Sequence, residues 1–266
     1  MTNPPQQALK ILHTADVHLD LDDYGADPHA RRYRDINQQA FRTVIDVAIQ
    51  EQVDVLLIAG DLFDSNRPSA DVVDFAIAEL RRVGRPVIMI PGNHDCLSTQ
   101  SIYRRVDLPG ACPNLLLISH PNGEQHYLSD HNLVLWGRGM VEHEPAYRPL
   151  GGIPRPQGEA WHIALGHGFF MDDDVPSYRS SPIFAGEIRA SGWDYVALGH
   201  CHAFSDVSQG PVAAYYSGAP AFFPGVPGAD GYVALVRFEA GESRHIDVRR
   251  IDLRPLVHAT LEQQRT

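Results

Sequence analysis

The chain is short of lysine: of 22 basic residues only Lys10 is a lysine, and the rest are arginine. Such a bias reflects genomic base composition before it reflects function, although arginine forks suit phosphate. Positive charge is scarce in sum as well. Thirty-three acidic residues leave a net charge of −11, which argues against nucleic-acid binding by bulk electrostatics. A local basic groove or bound cations can still invert the sign at one place. The three cysteines, Cys96, Cys112 and Cys201, have no CxxC spacing, and their odd number gives no disulfide framework. A reducing cytoplasm is the expected home. No apolar run approaches the roughly 18 residues of a membrane span. The opening MTNPPQQALK has neither the charged nor the apolar region of a signal peptide. Internal repeats and low-complexity blocks are also missing.

What is present is enough for a sizeable core: 266 residues, 44% of them hydrophobic. The expected layout is one domain over 9–258 between loose tails at 1–8 and 259–266. The stretch 139–159, rich in glycine and proline, reads as a flexible loop. Helical periodicity predicts a helix from Arg31 to about Gln52, with Ile36, Ala40, Val44, Val47 and Ala48 as its apolar stripe. A second helix is predicted over 70–83, with Ser69 as its cap. A closing hairpin is expected over 231–252. Arg31, Arg32 and Arg34 suit phosphate, but equally suit a solvated helix start.

Five segments share one form: an apolar strand followed at once by a knot of Asp, His or Gly. LKILHTA delivers Asp16 and His18. VDVLLIA ends in Gly60-Asp61-Leu62-Phe63-Asp64. PVIMI ends in Pro91-Gly92-Asn93-His94-Asp95. WHIALG ends at His167, and WDYVAL in Gly199-His200-Cys201-His202. Open α/β sheets bind ligands at such strand ends. In an extended segment Asp16 and His18, at i and i+2, would point the same way, and so would His200 and His202. Cys201 would then face away and serve packing. Any one of these knots is an ordinary polar turn; five in succession are not. The other polar groups read as bland. Asp20, Asp22 and Asp23, and the run Asp172-Asp173-Asp174, read as solvated loops. His120, His126, His131 and His143, irregularly spaced, read as surface histidines.

Collected, the strand ends supply Asp16, His18, Asp61, Asn93, His167, His200 and His202. Two carboxylates, a carboxamide and four imidazoles, with no thiolate, suit Mn²⁺, Fe²⁺ or Zn²⁺. Seven ligands exceed the needs of one ion and suit two sharing a bridge, for which Asp61 is the natural choice. Two ions about 3.5–4 Å apart can hold a hydroxide for in-line attack and clamp the phosphoryl oxygens. His94 is then the candidate general acid for the leaving alkoxide. Asp64, or in its place Asp95, would hold the other ring nitrogen.

In this order the motifs D-x-H, G-D-x-x-D, G-N-H-D, H and G-H-x-H resemble the calcineurin-like metallophosphoesterase superfamily, over roughly 9–252. The resemblance implies an α/β (α+β) fold, a four-layer double β-sandwich flanked by helices. It implies one ion on Asp16, His18, Asp61 and His202, and the other on Asp61, Asn93, His167 and His200. HTADVHLD at 13–20, AGDLFDSNRPS at 59–69, PGNHD at 91–95, DYVALGHCH at 194–202 and YYSGAP at 215–220 are similar to the SbcD-type branch of DNA repair nucleases. That implies manganese-dependent phosphodiester hydrolysis on DNA, and a homodimer through the helices near 31–50 or 70–83. The sequence stops soon after this core, so the expectation is a nuclease core lacking the capping domain and the tail by which that branch binds its SbcC-like ATPase partner, which tells against that partner here. The rivals are a phosphoesterase for a small or non-DNA ester and a non-catalytic scaffold.

Overall fold

The computed structural model describes residues 7–20, 30–172, 179–222, 231–241 and 244–257, with backbone alone for 30–33. Residues 1–6 of the expected 1–8 tail, the expected tail at 259–266, the carboxylates of Asp22, Asp23, Asp173 and Asp174, and the side chains of Arg31 and Arg32 lie outside the described residues.

Apolar runs become strands buried on both faces, as parallel strands between two layers must be. The first sheet takes β1 (Leu9–Thr14), β2 (Val55–Ala59), β3 (Val87–Ile90) and β4 (Leu115–Leu117) side by side and parallel. The second takes β5 (Glu124–Leu128), β6 (Leu133–Gly137) and β7 (Trp161–His167), and later β10 (Tyr195–Gly199), β11 (Phe204–Asp206) and β12 (Ala213–Ser217). A short parallel pair, β8 (Phe169–Met171) and β9 (Pro182–Phe184), stands apart. The expected hairpin, β13 (Tyr232–Glu239) and β14 (His245–Asp252), returns to the first sheet, whose order is β14-β13-β1-β2-β3-β4. The second sheet runs β11-β12-β10-β7-β6-β5, with β6, β7, β10 and β12 parallel.

The sheets stack face to face. Ile11, Leu57, Ile88, Ile163, Leu165 and Ala197 are among the side chains of one core between them. A second core lies outside the first sheet, under α1 (Ala30–Gln50) and α2 (Ala70–Arg82). Phe41, Val44, Ile45 and Ala48 form the buried stripe of α1. Glu79 of α2 is buried because Arg42 of α1 and Arg82 reach it, at 3.3 and 2.7 Å. Two single-turn helices, α3 (Ile102–Arg105) and α4 (Leu108–Ala111), lead into β4. A third core outside the second sheet gathers Leu150, Ile188 and Trp193 under α5 (Ala185–Ser191) and the 139–159 segment. The four-layer sandwich is therefore present, its outer layer on the second sheet being part helix and part loop. That loop is anchored: Leu150 is buried and the Tyr147 hydroxyl donates to the Arg138 carbonyl at 2.9 Å. Ser69 holds the cap position of α2 without capping it. Its hydroxyl accepts from Arg34, and its amide donates to Asp20. Among the described residues no helix is long and apolar enough to cross a membrane.

Candidate metal centre

The parallel strands β1, β2 and β3 of one sheet and β7 and β10 of the other end on the same side. The knots that follow them meet there. Asp16 and His18 lie past the end of β1 in left-handed backbone, with φ of 55° and 51°. The extended geometry expected for the D-x-H pair is thus corrected: the chain bends at each residue, and the bends bring both side chains to one place. The His200 amide donates to both Asp16 carboxylate oxygens at 3.0 Å, tying the two sheets together.

One half of the site holds Asp16, His18 and His202, whose ligand atoms lie within 4.8 Å of one another. The Nε2 atoms of His18 and His202 face each other at 3.2 Å. Two ring nitrogens that close need a proton or a cation between them. The other half holds Asp16, Asp61 and His167, with Asn93 beside them. Asn93 Oδ1 lies 3.0 Å from His167 Nε2 and 2.8 Å from His200 Nδ1. His200 and His202, whose i and i+2 spacing suggested that they point the same way, instead diverge, His200 toward Asn93 and His202 toward His18. His200 has φ 94°, so its side chain and that of His202 diverge. Cys201 packs on the third core as expected.

Asp61 stands between the halves. Its Oδ2 is 3.3 Å from His167 Nε2 and 3.9 Å from His18 Nε2, and its Oδ1 accepts the His94 amide at 2.9 Å. Burial alone would raise its pKa, but His167, His18 and His94 hold it well below the usual carboxylate range. His167 donates Nδ1–H to the Ala59 carbonyl at 2.8 Å, which leaves Nε2 for the site. Burial opposes charge on this ring, yet Asp61, Asp16 and that carbonyl raise its pKa to about 9. Burial, with His167 adding to it, lowers His200 to about 3. These donors fit divalent cations in kind and in placement, because oxygen and imidazole nitrogen converge with no thiolate among them.

His94 is partly exposed. Its Nδ1 donates to the Asp64 carbonyl at 2.7 Å and lies 3.6 Å from the Asp64 carboxylate. That carboxylate takes His18 Nδ1, at 3.1 Å, as its nearer partner. Asp64 thus orients two imidazoles, one through each kind of oxygen. Asp95, the rival for holding His94, is turned away. Its buried carboxylate accepts the Gly92 amide at 2.7 Å, the Phe63 amide at 3.2 Å and the Tyr103 hydroxyl. Burial pushes its pKa up to about 6, and Asp61 pushes the same way. Asp95 holds the loop that carries Asn93 and His94.

His143 corrects another expectation. It is not a surface histidine: its ring centroid lies 5.2 Å from that of His200, and its Nδ1 meets the Ser181 hydroxyl at 3.0 Å. Burial, then His167, lowers its pKa. Its irregular spacing gave no signal. His120 is exposed, and His126 pairs with Glu124 at 3.0 Å.

The knots close on one another because their glycines admit no side chain. A Cβ on Gly199 would sit 2.0 Å from the Ala59 carbonyl oxygen and 2.8 Å from His167 Nδ1. Backbone cannot yield as a flexible side chain can. Gly199→Ala should lower the melting temperature and manganese affinity together, by calorimetry; a variant that binds manganese like the parent would show that the sheets can separate without cost to the site.

A family model described as calcineurin-like phosphoesterase matches residues 9–204. The uncharacterized metallophosphoesterase YhaO of Bacillus subtilis is 29% identical over 79% of this chain and 52% of its own length. The DNA double-strand break repair protein Mre11 of Sulfurisphaera tokodaii is 42% identical over 73% and 49%. A component of the nuclease SbcCD of Escherichia coli K12 is 26% identical over 90% and 67%. The chain spans about half the length of the first two. Among solved structures, a dimetal phosphatase from Danio rerio superposes with TM-score 0.56 at 13% identity, over 92% of this chain and 98% of that one. TT1561 of Thermus thermophilus does so with TM-score 0.53 at 13% identity, over 91% and 99%. At that identity the likeness is one of fold. The family match takes in every strand end that meets at this centre, and by it the chain belongs to the calcineurin-like phosphoesterases, a family of metal-dependent hydrolases.

Proposed function

We propose that the chain is the core of a dinuclear, manganese-dependent phosphodiesterase acting on DNA. The observation that carries this reading is the convergence of two ligand groups, drawn from both sheets, which have Asp16 in common and whose His167 and His18 Nε2 atoms lie 3.3 and 3.9 Å from Asp61 Oδ2. Asp16, His18, Asp61 and His202 would hold one cation, and Asp61, Asn93, His167 and His200 the other. Bound divalent cations supply Lewis acidity toward phosphoryl oxygens and a water of lowered pKa.

The chain's own groups do the rest. The Asp64 carbonyl accepts Nδ1–H of His94, with the Asp64 carboxylate 3.6 Å from the same nitrogen, and this leaves Nε2 to face the leaving alkoxide, for which His94 is the general acid. The Asp61 oxygen on the His94 amide fixes that ring beside the bridge. Arginine faces aromatic rings near the centre: Arg179 lies 4.3 Å over Phe169, whose ring meets His200 at 4.6 Å. On the closing hairpin Arg250 lies 4.3 Å over Tyr232. Such pairs suit a nucleic-acid strand, which offers phosphates and stackable bases. Mre11 and the SbcCD nuclease component, similar in sequence, support DNA as the substrate.

The test is hydrolysis of bis-p-nitrophenyl phosphate beside linear single- and double-stranded DNA, with added Mn²⁺ and rising salt. DNA should be degraded, with activity falling steeply as salt displaces it. Cleavage of the small diester alone would keep the phosphodiesterase and remove DNA, in line with the net charge of −11. Two bound metals without cleavage would leave a scaffold.

A further inference from the structure

His143 reaches the centre from a segment that contributes no expected ligand, its ring centroid 5.2 Å from that of His200 and its Nδ1 held at 3.0 Å by the Ser181 hydroxyl. Ser181 is fully buried and left-handed, with φ 53°. Backbone in that region is strained for a non-glycine residue and persists only where its surroundings enforce it. The enforcement is visible. The Ser181 amide donates to the Glu144 carbonyl at 2.9 Å, and its carbonyl accepts the Phe169 amide at 3.0 Å. Gly168 makes room, since a Cβ there would lie 2.0 Å from the Ser181 carbonyl oxygen. The outcome is a clamp that fixes the 143–144 backbone against the strand following His167.

The clamp also fixes the tautomer. Among the described residues His143 is the sole side-chain partner of the Ser181 hydroxyl. A buried hydroxyl with one acceptor in reach donates to it. Nδ1 is then the acceptor, and the ring's proton lies on Nε2. His143 is half buried, and its Nδ1 meets the fully buried Ser181. Nε2–H, with no protein partner among the described residues, is left for the site. The ring lies within electrostatic reach of His167, Asp61 and His94. It therefore stands beside the Asn93–His167–His200 half, whereas His94 contacts Asp64 on the other side.

We propose that His143 is a substrate-contacting residue whose Nε2–H donates to a non-bridging oxygen of the bound phosphoryl group. The inference rests on the phosphoesterase reading above. A donor at this oxygen gains strength as charge builds on the equatorial oxygens in the transition state, so it acts on kcat more than on KM.

The experiment uses the full chain loaded with manganese and three variants: His143→Ala, His143→Gln and Ser181→Ala. Three quantities are read: kcat and KM on bis-p-nitrophenyl phosphate, the dissociation constant of inorganic phosphate by calorimetry, and bound manganese per chain. His143→Ala should lower kcat roughly 10²-fold, as loss of one oxyanion donor does. It should weaken phosphate about tenfold, as loss of one hydrogen bond to a charged group does, and leave manganese unchanged. His143→Gln, which keeps an N–H, should regain part of the loss. Ser181→Ala, which frees the ring to change tautomer, should fall between. Unchanged kcat and phosphate affinity in His143→Ala would overturn the contact. Loss of manganese would overturn it too, making His143 a ligand. If the parent cleaves no phosphate ester, the underlying reading fails on its own, and phosphate calorimetry still decides whether His143 touches the anion.

Discussion

Asp61→Asn should abolish hydrolysis, lowering kcat at least about 10³-fold, more than removal of a single oxyanion donor costs. Asparagine keeps the shape of the side chain and an oxygen for the His94 amide, now at 2.9 Å, so the fold should survive. What disappears is the charge that both halves of the centre share. The same substitution reports on proton linkage. In the parent, His167 has its pKa raised to about 9, with Asp61 first among the groups that raise it against burial. Below that pH the ring is protonated and cannot be a ligand, so a cation must expel the proton as it binds. Manganese affinity should therefore climb about tenfold per pH unit from neutrality toward pH 9, with a proton released into the buffer. In Asp61→Asn the slope should flatten, because the anion that held the proton is gone. Titration calorimetry in buffers of different ionisation enthalpy measures both; a parent that binds manganese without releasing a proton would contradict the assignment of His167.

The strand ends were legible because parallel strands between two layers are apolar throughout. Where such a run stops in Asp, His or Gly, the chemistry starts, as at Ile90 and Gly199. The directions taken within each knot were not legible. Left-handed backbone at Asp16, His18, Asp61 and His200 is imposed by tertiary contacts between the sheets, and no local propensity announces it. Asp64 was legible as a positioning group and not in its division of labour, because its two oxygen types serve His18 and His94 separately. Asp95 misled through its adjacency to His94. Its neighbours in space are amides and Tyr103, eight positions on. His143 and Ser181, 38 positions apart, have no periodicity to connect them. They meet because β8 and β9, each three residues long, carry Ser181 to the site. Strands that short leave no alternating pattern.

The core between the sheets hides the imidazole of His13, and acid should expose it. His13 follows Leu9 and Ile11 on the inward face of β1 and is fully buried. Its Nδ1 meets the hydroxyl of Tyr195, from the other sheet, at 3.0 Å, in a core otherwise apolar. Burial lowers its pKa from 6.5 to about 3. Above pH 6.5 the ring is neutral folded or unfolded, and nothing is lost. Between 6.5 and about 3 the unfolded chain binds a proton that the folded chain refuses, so stability falls with pH by about 1.4 kcal/mol per unit. Over the whole interval this approaches 5 kcal/mol, on the order of the total stability of many domains. Removing the histidine alone would leave the Tyr195 hydroxyl buried and unpaired, at a cost of about 1–3 kcal/mol. The informative variant is therefore the pair His13→Leu with Tyr195→Phe. Urea unfolding at pH 7.5, 6 and 5 should show the variant gaining on the parent by about 1.4 kcal/mol for each unit below 6.5. Parallel stability curves would mean that water or a relaxed packing reaches His13 and lets it ionise inside the fold.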